Sequence, residues 1–189
     1  MHVNEAALVD YAMDRLAVVS GDLVLTPTHR IRTTLLGEFE EDSRRLTVAV
    51  SAPDWSGVLA HELGHVEQFL DKRYAKAGDH QQRFDKHLAG QEVKPRALLS
   101  SVRYLQRMEL DAERHAVRLI DRFALPVDRL RYIKSANAYV LAFEWARRHG
   151  RWPGSAWPLC HHRLITERDL GRLSPEVESA MGSKNPTPG

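Results

Sequence analysis

The chain has 189 residues, with 27 lysines and arginines against 25 acidic residues, ten histidines and a single cysteine. This length is typical of one domain that buries its core without disulfide support. A single cysteine excludes an internal disulfide framework and any all-cysteine metal site. The near balance of basic and acidic residues argues against a strongly basic surface of the kind that binds nucleic acid. No apolar run is long enough to span a bilayer.

The first third of the chain combines one amphipathic helix with short β-prone runs. The apolar spacing predicts a helix over 4–19 that Asn4 caps. Its buried face is expected to hold Leu8, Ala12, Leu16 and Val19. Three strands are predicted, with an acidic turn (Glu40–Asp42) before the third: Leu23–Thr26, 31–39 and Leu46–Ser51.

Three long helical patterns follow, each marked by proline or glycine. Pro53 opens the first, which Gly78 is expected to end. Pro95 opens the second, which Pro126 ends, and the third covers 127–149. The other segments are a weakly helical stretch at 80–94, a loop at 151–162, a short helix at 175–181 and a disordered tail at 183–189.

This order of elements predicts an α+β fold, because strands are confined to the first third of the chain and helices fill the rest. We expect a small N-terminal sheet and a largely helical C-terminal half. One domain is predicted over 1–182, made of a core at 20–126 and a helical extension at 127–182.

The strongest chemical signal is an H-E-x-x-H sequence, formed by His61, Glu62 and His65 inside the helix that Pro53 opens. Histidines four apart on a helix lie on one face about 5–6 Å apart, so both imidazoles can reach one ion. Neutral imidazole suits Zn²⁺, and in this pattern Glu62 holds the metal-bound water and takes its proton. Chance predicts only about 0.04 such matches in a chain of this composition, which disfavours two unrelated surface histidines.

A catalytic zinc takes three protein ligands and keeps one position open. The extended pattern with a third histidine fails, because Gln68 and Asp71 stand where it needs glycine and histidine. A second helix instead offers Glu109 and Glu113, four residues apart and therefore on one side. One carboxylate can bind the metal while the other accepts the spare N–H of a ligand histidine. The spacing leaves open which of the two is the ligand.

Together the two segments resemble the gluzincin metallopeptidases, in which a glutamate on a second helix follows the metal-binding helix. The residues that carry the likeness are VLAHELGHVEQ and, beginning 44 residues after His65, ELDAERHA. Peptidases of the HtpX type and of the ImmA/IrrE type match about equally well at these positions. The HtpX type spans a membrane, whereas the glycine, turn, strand and helix that lead into the motif are similar to the ImmA/IrrE layout. The likeness covers residues 35–126.

The resemblance implies a zincin-like fold and a zinc-dependent endopeptidase. It assigns zinc to His61, His65 and Glu109. Glu113 would then support a ligand histidine, and Glu62 would be the general base and later the proton donor to the leaving amine. Such enzymes often add a tyrosine or histidine that stabilises the transition state, and this chain offers Tyr104, His115 and Tyr139.

Two residues depart from the family pattern. Asp111 stands where glutamate is frequent, and Glu113 where aspartate or asparagine is usual. In zincins the strand before the metal helix borders the cleft, so Leu46–Ser51 is expected to receive an extended substrate as an added antiparallel strand.

The expected partners are therefore peptides or proteins, with neither nucleic acid nor a membrane involved, and the oligomeric state stays open. The N-terminal residues carry early acids and no apolar core of a secretory signal, so a cytoplasmic location is expected.

Two other interpretations of the sequence stay open. A zincin-fold binding or regulatory protein would keep the metal and cleave little, although it would not need Glu62. A latent protease would have its cleft blocked by the C-terminal segment, where Cys160, His161 and His162 offer metal ligands in a row. A purely structural zinc is disfavoured, because such sites usually have four protein ligands.

Overall fold

The computed structural model describes residues 2–32, 35–153 and 163–182, and the predicted tail at 183–189 lies outside them. The described elements have an α+β arrangement with a small sheet, which confirms the fold class expected from the sequence. In chain order they are α1 (Val3–Ala17), β1 (Asp22–Thr26), β2 (Gly37–Glu40), β3 (Arg45–Ala49), α2 (Trp55–Leu70), α3 (Ala77–Leu88), α4 (Pro95–Phe123), α5 (Arg129–His149) and α6 (Pro175–Gly182). Within the described ranges, no helix combines the length and the apolarity that crossing a bilayer requires.

The residue contacts divide the chain into two compact units. The first consists of Met1–Tyr74 and Asp111–Arg129, and the second consists of Ala75–Leu110 and Leu130–Gly189. Helix α4 runs through the division, so its first half belongs to the second unit and its last half to the first.

The sheet of the first unit has the order β1-β3-β2, with β3 parallel to β1 and antiparallel to β2. Leu46, Val48 and Ala49 are fully buried in β3. The central place of β3 overturns the expectation that Leu46–Ser51 receives a peptide, because strand partners already occupy both of its sides. In the described sheet the edges belong to β1 and β2.

The strand predicted over 31–39 begins only at Gly37, and the described residues 31, 32, 35 and 36 lie outside any strand. Upstream of β2 the Ile31 N–H donates to the Leu35 carbonyl oxygen at 2.9 Å, so this N–H is not paired with a neighbouring strand. Of the acidic turn predicted at Glu40–Asp42, residues 41 and 42 lie in the observed turn at 41–44, whereas Glu40 is the last residue of β2. Arg44, with a φ of 53°, leads the chain into β3.

Helix α1 packs on β1 and α2 with the predicted buried residues Leu8, Ala12 and Leu16. The helix begins at Val3, so the expected cap at Asn4 is wrong. At its start the His2 N–H donates to the Glu5 carboxylate at 2.8 Å, which satisfies a helix-end group. Asn4 lies inside the helix, and its side-chain amide donates to the Ala124 carbonyl oxygen at 3.0 Å.

The first long helix, α2, ends at Leu70, so the prediction that Gly78 ends it is wrong. Between α2 and α3 the chain turns, and Lys72 there adopts a left-handed φ of 54°. Gly78 lies inside α3, whose Phe84 is fully buried. The polar composition of this segment indicated only weak helicity. The burial of Phe84 thus stabilises it as a helix.

The second unit is built on α4 and α5, whose observed bounds agree with the prediction within two residues. Two apolar clusters fill it, one of Phe84, Leu98, Val102, Leu105, Phe143 and Ala146, the other of Leu110, Val140, Leu141, Trp145, Ile165, Leu170 and Val177. The Asn137 amide donates to the Arg163 carbonyl oxygen at 2.8 Å and accepts from the Ile165 N–H at 2.9 Å. Because Asn137 is fully buried, this pair of bonds ties residues 163–165 to α5.

Candidate metal centre

Helices α2 and α4 lie in close contact where Gly64 faces Ala112. A Cβ on Gly64 would stand 2.7 Å from the Ala112 Cα and 2.9 Å from its carbonyl oxygen, so no side chain fits. Both residues are buried. The close approach lets the longer side chains around it on the two helices meet.

Three of those side chains form a group that could hold a metal ion: His61, His65 and Glu109. One ligand atom from each lies within 4.8 Å of the others. The Nε2 atoms of His61 and His65 are 3.2 Å apart. Two nitrogens on one tetrahedral zinc, each about 2.0–2.1 Å from it, are expected to be about 3.3 Å apart. The imidazole pair therefore already has the separation that a shared ion requires.

Glu113 follows Glu109 by one turn of α4 and lies beside the first histidine. Its Oε1 is 3.1 Å from Nδ1 of His61. This distance is that of an ion pair, but the angle between the two groups does not meet the geometry of a hydrogen bond. A carboxylate in this position favours the ring form with its proton on Nδ1, which leaves the lone pair on Nε2. The structure thus separates two glutamates that the sequence spacing left equivalent.

The second histidine is supported by an amide. Nδ1 of His65 is 3.0 Å from Oε1 of Gln68, which lies one turn later on α2 and is buried. The Gln68 amide nitrogen in turn donates to the Asp111 carboxylate at 3.3 Å. Arg73 donates to the same carboxylate at 2.9 Å. The ring of His65 is therefore connected through Gln68 to a charged pair.

The residue predicted as general base, Glu62, is fixed by strand β2. Its Oε2 accepts a hydrogen bond from the Phe39 N–H at 3.1 Å. A Cβ on Gly37 of the same strand would stand 2.9 Å from Cγ of Glu62 and 2.6 Å from Cγ1 of Val58. The missing side chain at Gly37 is what lets α2 and the Glu62 carboxylate approach the strand.

Three carboxylates around the metal group are nearly removed from solvent, with 8% of Glu62, 6% of Glu109 and 5% of Glu113 exposed. Buried charges are stable when they are paired, hydrogen-bonded or bound to a metal. Two imidazoles and a carboxylate suit Zn²⁺, and they also accept other first-row divalent cations. The donor set therefore fits a divalent metal ion, whose charge would offset that of the buried carboxylates.

Both tyrosines predicted as stabilisers lie in the second unit. The Tyr104 hydroxyl accepts a hydrogen bond from the Lys76 N–H at 3.3 Å. Tyr139 packs edge-on against Phe143 and lies parallel to the ring of Trp152. Their role at the metal centre stays a prediction.

His115, the third candidate stabiliser, is half-buried, and its Nδ1 is 3.4 Å from Nη2 of Arg118. Burial lowers the pKa of His115, and the charge of Arg118 lowers it further. Among the described residues, the metal-binding group consists of His61, His65 and Glu109, so the role of His115 as a stabiliser stays a prediction.

Sequence reasoning did not assign roles to Gln68, Phe39 and Gly37. Gln68 could have been found, because residues three apart on a helix are neighbours and His65 precedes it by three. The contacts of Gly37 and Phe39 depend on strand pairing and on packing against a later helix. The residues predicted to fill the open zinc position lie outside the described ranges: Cys160, His161 and His162.

Comparison of the chain with protein-family models, with curated proteins and with solved structures gave no match. The function is therefore inferred from the side chains of the metal centre itself.

Proposed function

We propose that this chain is a zinc-dependent endopeptidase with a zincin-like fold, similar in layout to the ImmA/IrrE-type gluzincins. The observation that supports it most strongly is the convergence of His61 and His65, whose Nε2 atoms are 3.2 Å apart with Glu109 beside them. These three residues would hold the metal. A peptide or protein substrate is proposed with it, on the sequence grounds given above.

The donor set favours a catalytic over a structural zinc. Three protein ligands leave one coordination position for water or substrate, whereas structural sites are usually closed by four. Glu62, which directly follows His61, is also buried. A structural zinc site does not require a buried carboxylate at this position.

Zn²⁺ bound by these residues would supply Lewis-acid activation of the attacking water and of the peptide carbonyl. Glu62 takes a proton from the water as the water oxygen bonds to the carbonyl carbon. It gives that proton to the amide nitrogen as the carbon–nitrogen bond breaks. The Phe39 N–H holds Oε2 of Glu62 at 3.1 Å, which favours Oε1 as the oxygen that carries the proton.

We propose that an extended substrate binds along β2, which lies at an edge of the described sheet. Strand β2 carries Gly37 and Phe39, the two residues that lie against Glu62. A peptide paired with β2 would therefore pass close to the base. Pairing of this kind binds through the backbone and leaves specificity to pockets for alternate side chains.

The proposal is tested by measuring metal content and peptide cleavage on the same preparations of wild type and Glu62→Gln. Elemental analysis after zinc loading should find about one zinc per chain in both proteins, since Glu62 is not a ligand in this pattern. A proteome-derived peptide library should be cleaved by the wild type and at least about 10²-fold more slowly by Glu62→Gln. Wild-type protein that retains no divalent metal contradicts the proposal. Zinc binding without cleavage of any peptide supports the alternative of a zincin-fold binding or regulatory protein.

A further inference from the structure

A line of polar contacts leads from His65 through three further side chains of the first unit. Nδ1 of His65 is 3.0 Å from Oε1 of Gln68, and the Gln68 amide nitrogen is 3.3 Å from Oδ2 of Asp111. Nη1 of Arg73 is 2.9 Å from the same carboxylate oxygen. Only 5% of Gln68 is exposed, so water competes little for its amide group.

The far end of this line fixes the direction of every hydrogen bond in it. Arg73 can only donate, and the Asp111 carboxylate can only accept. The amide nitrogen of Gln68 must therefore face Asp111, which turns the amide oxygen toward His65. Because that oxygen can only accept, the ring proton of His65 lies on Nδ1 and the lone pair on Nε2. This lone pair is on the nitrogen that faces His61 and the metal group.

We infer that Gln68 is a positioning residue for the metal centre, and that Asp111 and Arg73 orient it. The inference rests on the metal site of the proposed function and adds three residues that keep one ligand in its binding form. The line also connects the His65 ring on α2 to position 111 on α4. It gives a role to Asp111, which departs from the pattern of the gluzincins.

The two motif histidines are thus supported by different chemistry. His61 has the carboxylate of Glu113 directly at its Nδ1, whereas His65 has a neutral amide, with a carboxylate one bond further away. A carboxylate partner raises the basicity of a ligand imidazole more than an amide does. We call the contacts from Arg73 through Asp111 and Gln68 to His65 the relay. Zinc binding through His65 therefore depends on this relay, which keeps the Gln68 oxygen directed at the His65 ring.

The test compares the zinc affinity of the full chain with that of two glutamine variants, by competition with a chromophoric chelator. Gln68→Met keeps the length of the side chain and removes the carbonyl, so the affinity should fall about 10- to 100-fold. Gln81→Met is the matched control, because Gln81 donates to Asp85 at 2.8 Å on α3, and it should bind zinc as the wild type does. Equal affinities of Gln68→Met and wild type overturn the inference. A wild type that binds no zinc overturns the proposed function and this inference with it.

If Gln68→Met does not fold, a second test exchanges the amide and the carboxylate between positions 68 and 111. Gln68→Glu alone brings a second carboxylate beside Asp111, and the repulsion between the two should turn the new carboxylate away from His65, so zinc binding should weaken. Adding Asp111→Asn gives the new carboxylate an amide donor, so the affinity should return toward the wild-type value. A folded double variant, checked by circular dichroism, that shows no recovery contradicts the relay.

Nuclear magnetic resonance of the zinc-loaded wild type distinguishes positioning from simple packing. Long-range ¹H–¹⁵N correlation should find the His65 proton on Nδ1, in slow exchange with water, and Gln68→Met should speed that exchange. A zinc-loaded protein with the His65 proton on Nε2 overturns the inference while the metal site of the proposed function stands.

Discussion

Gly64 and Ala112 are in backbone contact, because a Cβ on Gly64 would stand 2.7 Å from the Ala112 Cα. Neither backbone can rotate away as a side chain can. Gly64→Ala should therefore lower the free energy of unfolding by about 1–3 kcal/mol, as overpacking does in other cores. It should also weaken zinc binding, since the helices that carry the ligands must move apart. Urea denaturation and chelator competition measure the two effects.

The matched control for this substitution is Gly78→Ala. A Cβ at Gly78 meets no atom within 4 Å, and the residue lies inside α3. Alanine there should raise the free energy of unfolding by about 0.5–1 kcal/mol through helix propensity, with zinc affinity unchanged. If Gly64→Ala behaves like Gly78→Ala, the tight contact of α2 with α4 is contradicted.

Glu109 and Glu113 should differ when each is replaced by alanine. Glu109→Ala removes one of the three proposed metal ligands, so the protein should no longer retain zinc after dialysis. Glu113→Ala leaves the three ligands in place and removes only the carboxylate at Nδ1 of His61, so zinc affinity should fall about 10- to 100-fold. Glu92→Ala, at an exposed position, is the control and should bind zinc as the wild type does. Elemental analysis in which Glu113→Ala is the variant that loses zinc would reverse the ligand assignment.

Glu62→Gln should leave zinc binding and folding intact and lower the rate of peptide cleavage by about 10²- to 10⁴-fold. The amide oxygen of glutamine can still accept from the Phe39 N–H, so the contact with β2 survives. Glutamine cannot take up a proton from water near neutral pH. A cleavage rate within experimental error of the wild type would remove Glu62 from the mechanism.

Gly37→Ala tests whether β2 positions the base. The added Cβ would meet Cγ of Glu62 at 2.9 Å and Cγ1 of Val58 at 2.6 Å, so the carboxylate must shift. A displacement near 1 Å at a catalytic group costs on the order of 10²-fold in rate, while zinc affinity should stay at the wild-type value. Steady-state kinetics with zinc-loaded protein measure the loss. A wild-type rate in the folded variant contradicts this role.

Local patterns in the sequence account for the parts of the fold and site that were predicted correctly. The bounds of α4 and α5 follow from proline and glycine signals, and His61 and His65 are one helical turn apart, so helix geometry alone brings them together. The Gly78 signal failed because the chain had already turned at Lys72. A glycine marks a helix end only where the backbone adopts a positive φ.

Contacts between distant segments could not be read from the sequence. Nothing local to β3 indicates that it pairs with both β1 and β2, since strand order depends on long-range pairing. The approach of Gly37 to Glu62 follows from that pairing, and the bond from Gln68 to Asp111 joins two helices. Gly37, Phe39 and Gln68 were therefore missed, whereas the sequence did point to the three residues of the group that could hold a metal ion.

His115 should make the stability of the metal-free protein depend on pH. Burial lowers its pKa below the ordinary value of 6.5, Arg118 and Arg15 lower it further, and Glu67 and Asp111 oppose them. The unfolded chain therefore binds the proton more readily than the folded chain between the two pKa values. The stability linked to this histidine is fully present above pH 6.5 and is lost as the pH falls through the folded-state pKa.

The measurement is the free energy of unfolding by urea between pH 5 and pH 7.5, in chelator, for wild type and His115→Gln. The variant cannot bind the proton, so its stability should fall less than that of the wild type below pH 6.5, with parallel curves above it. His29→Gln, in an exposed loop, controls for loss of an imidazole. Parallel curves for wild type and His115→Gln across the whole range would show that His115 titrates alike in the folded and unfolded chains.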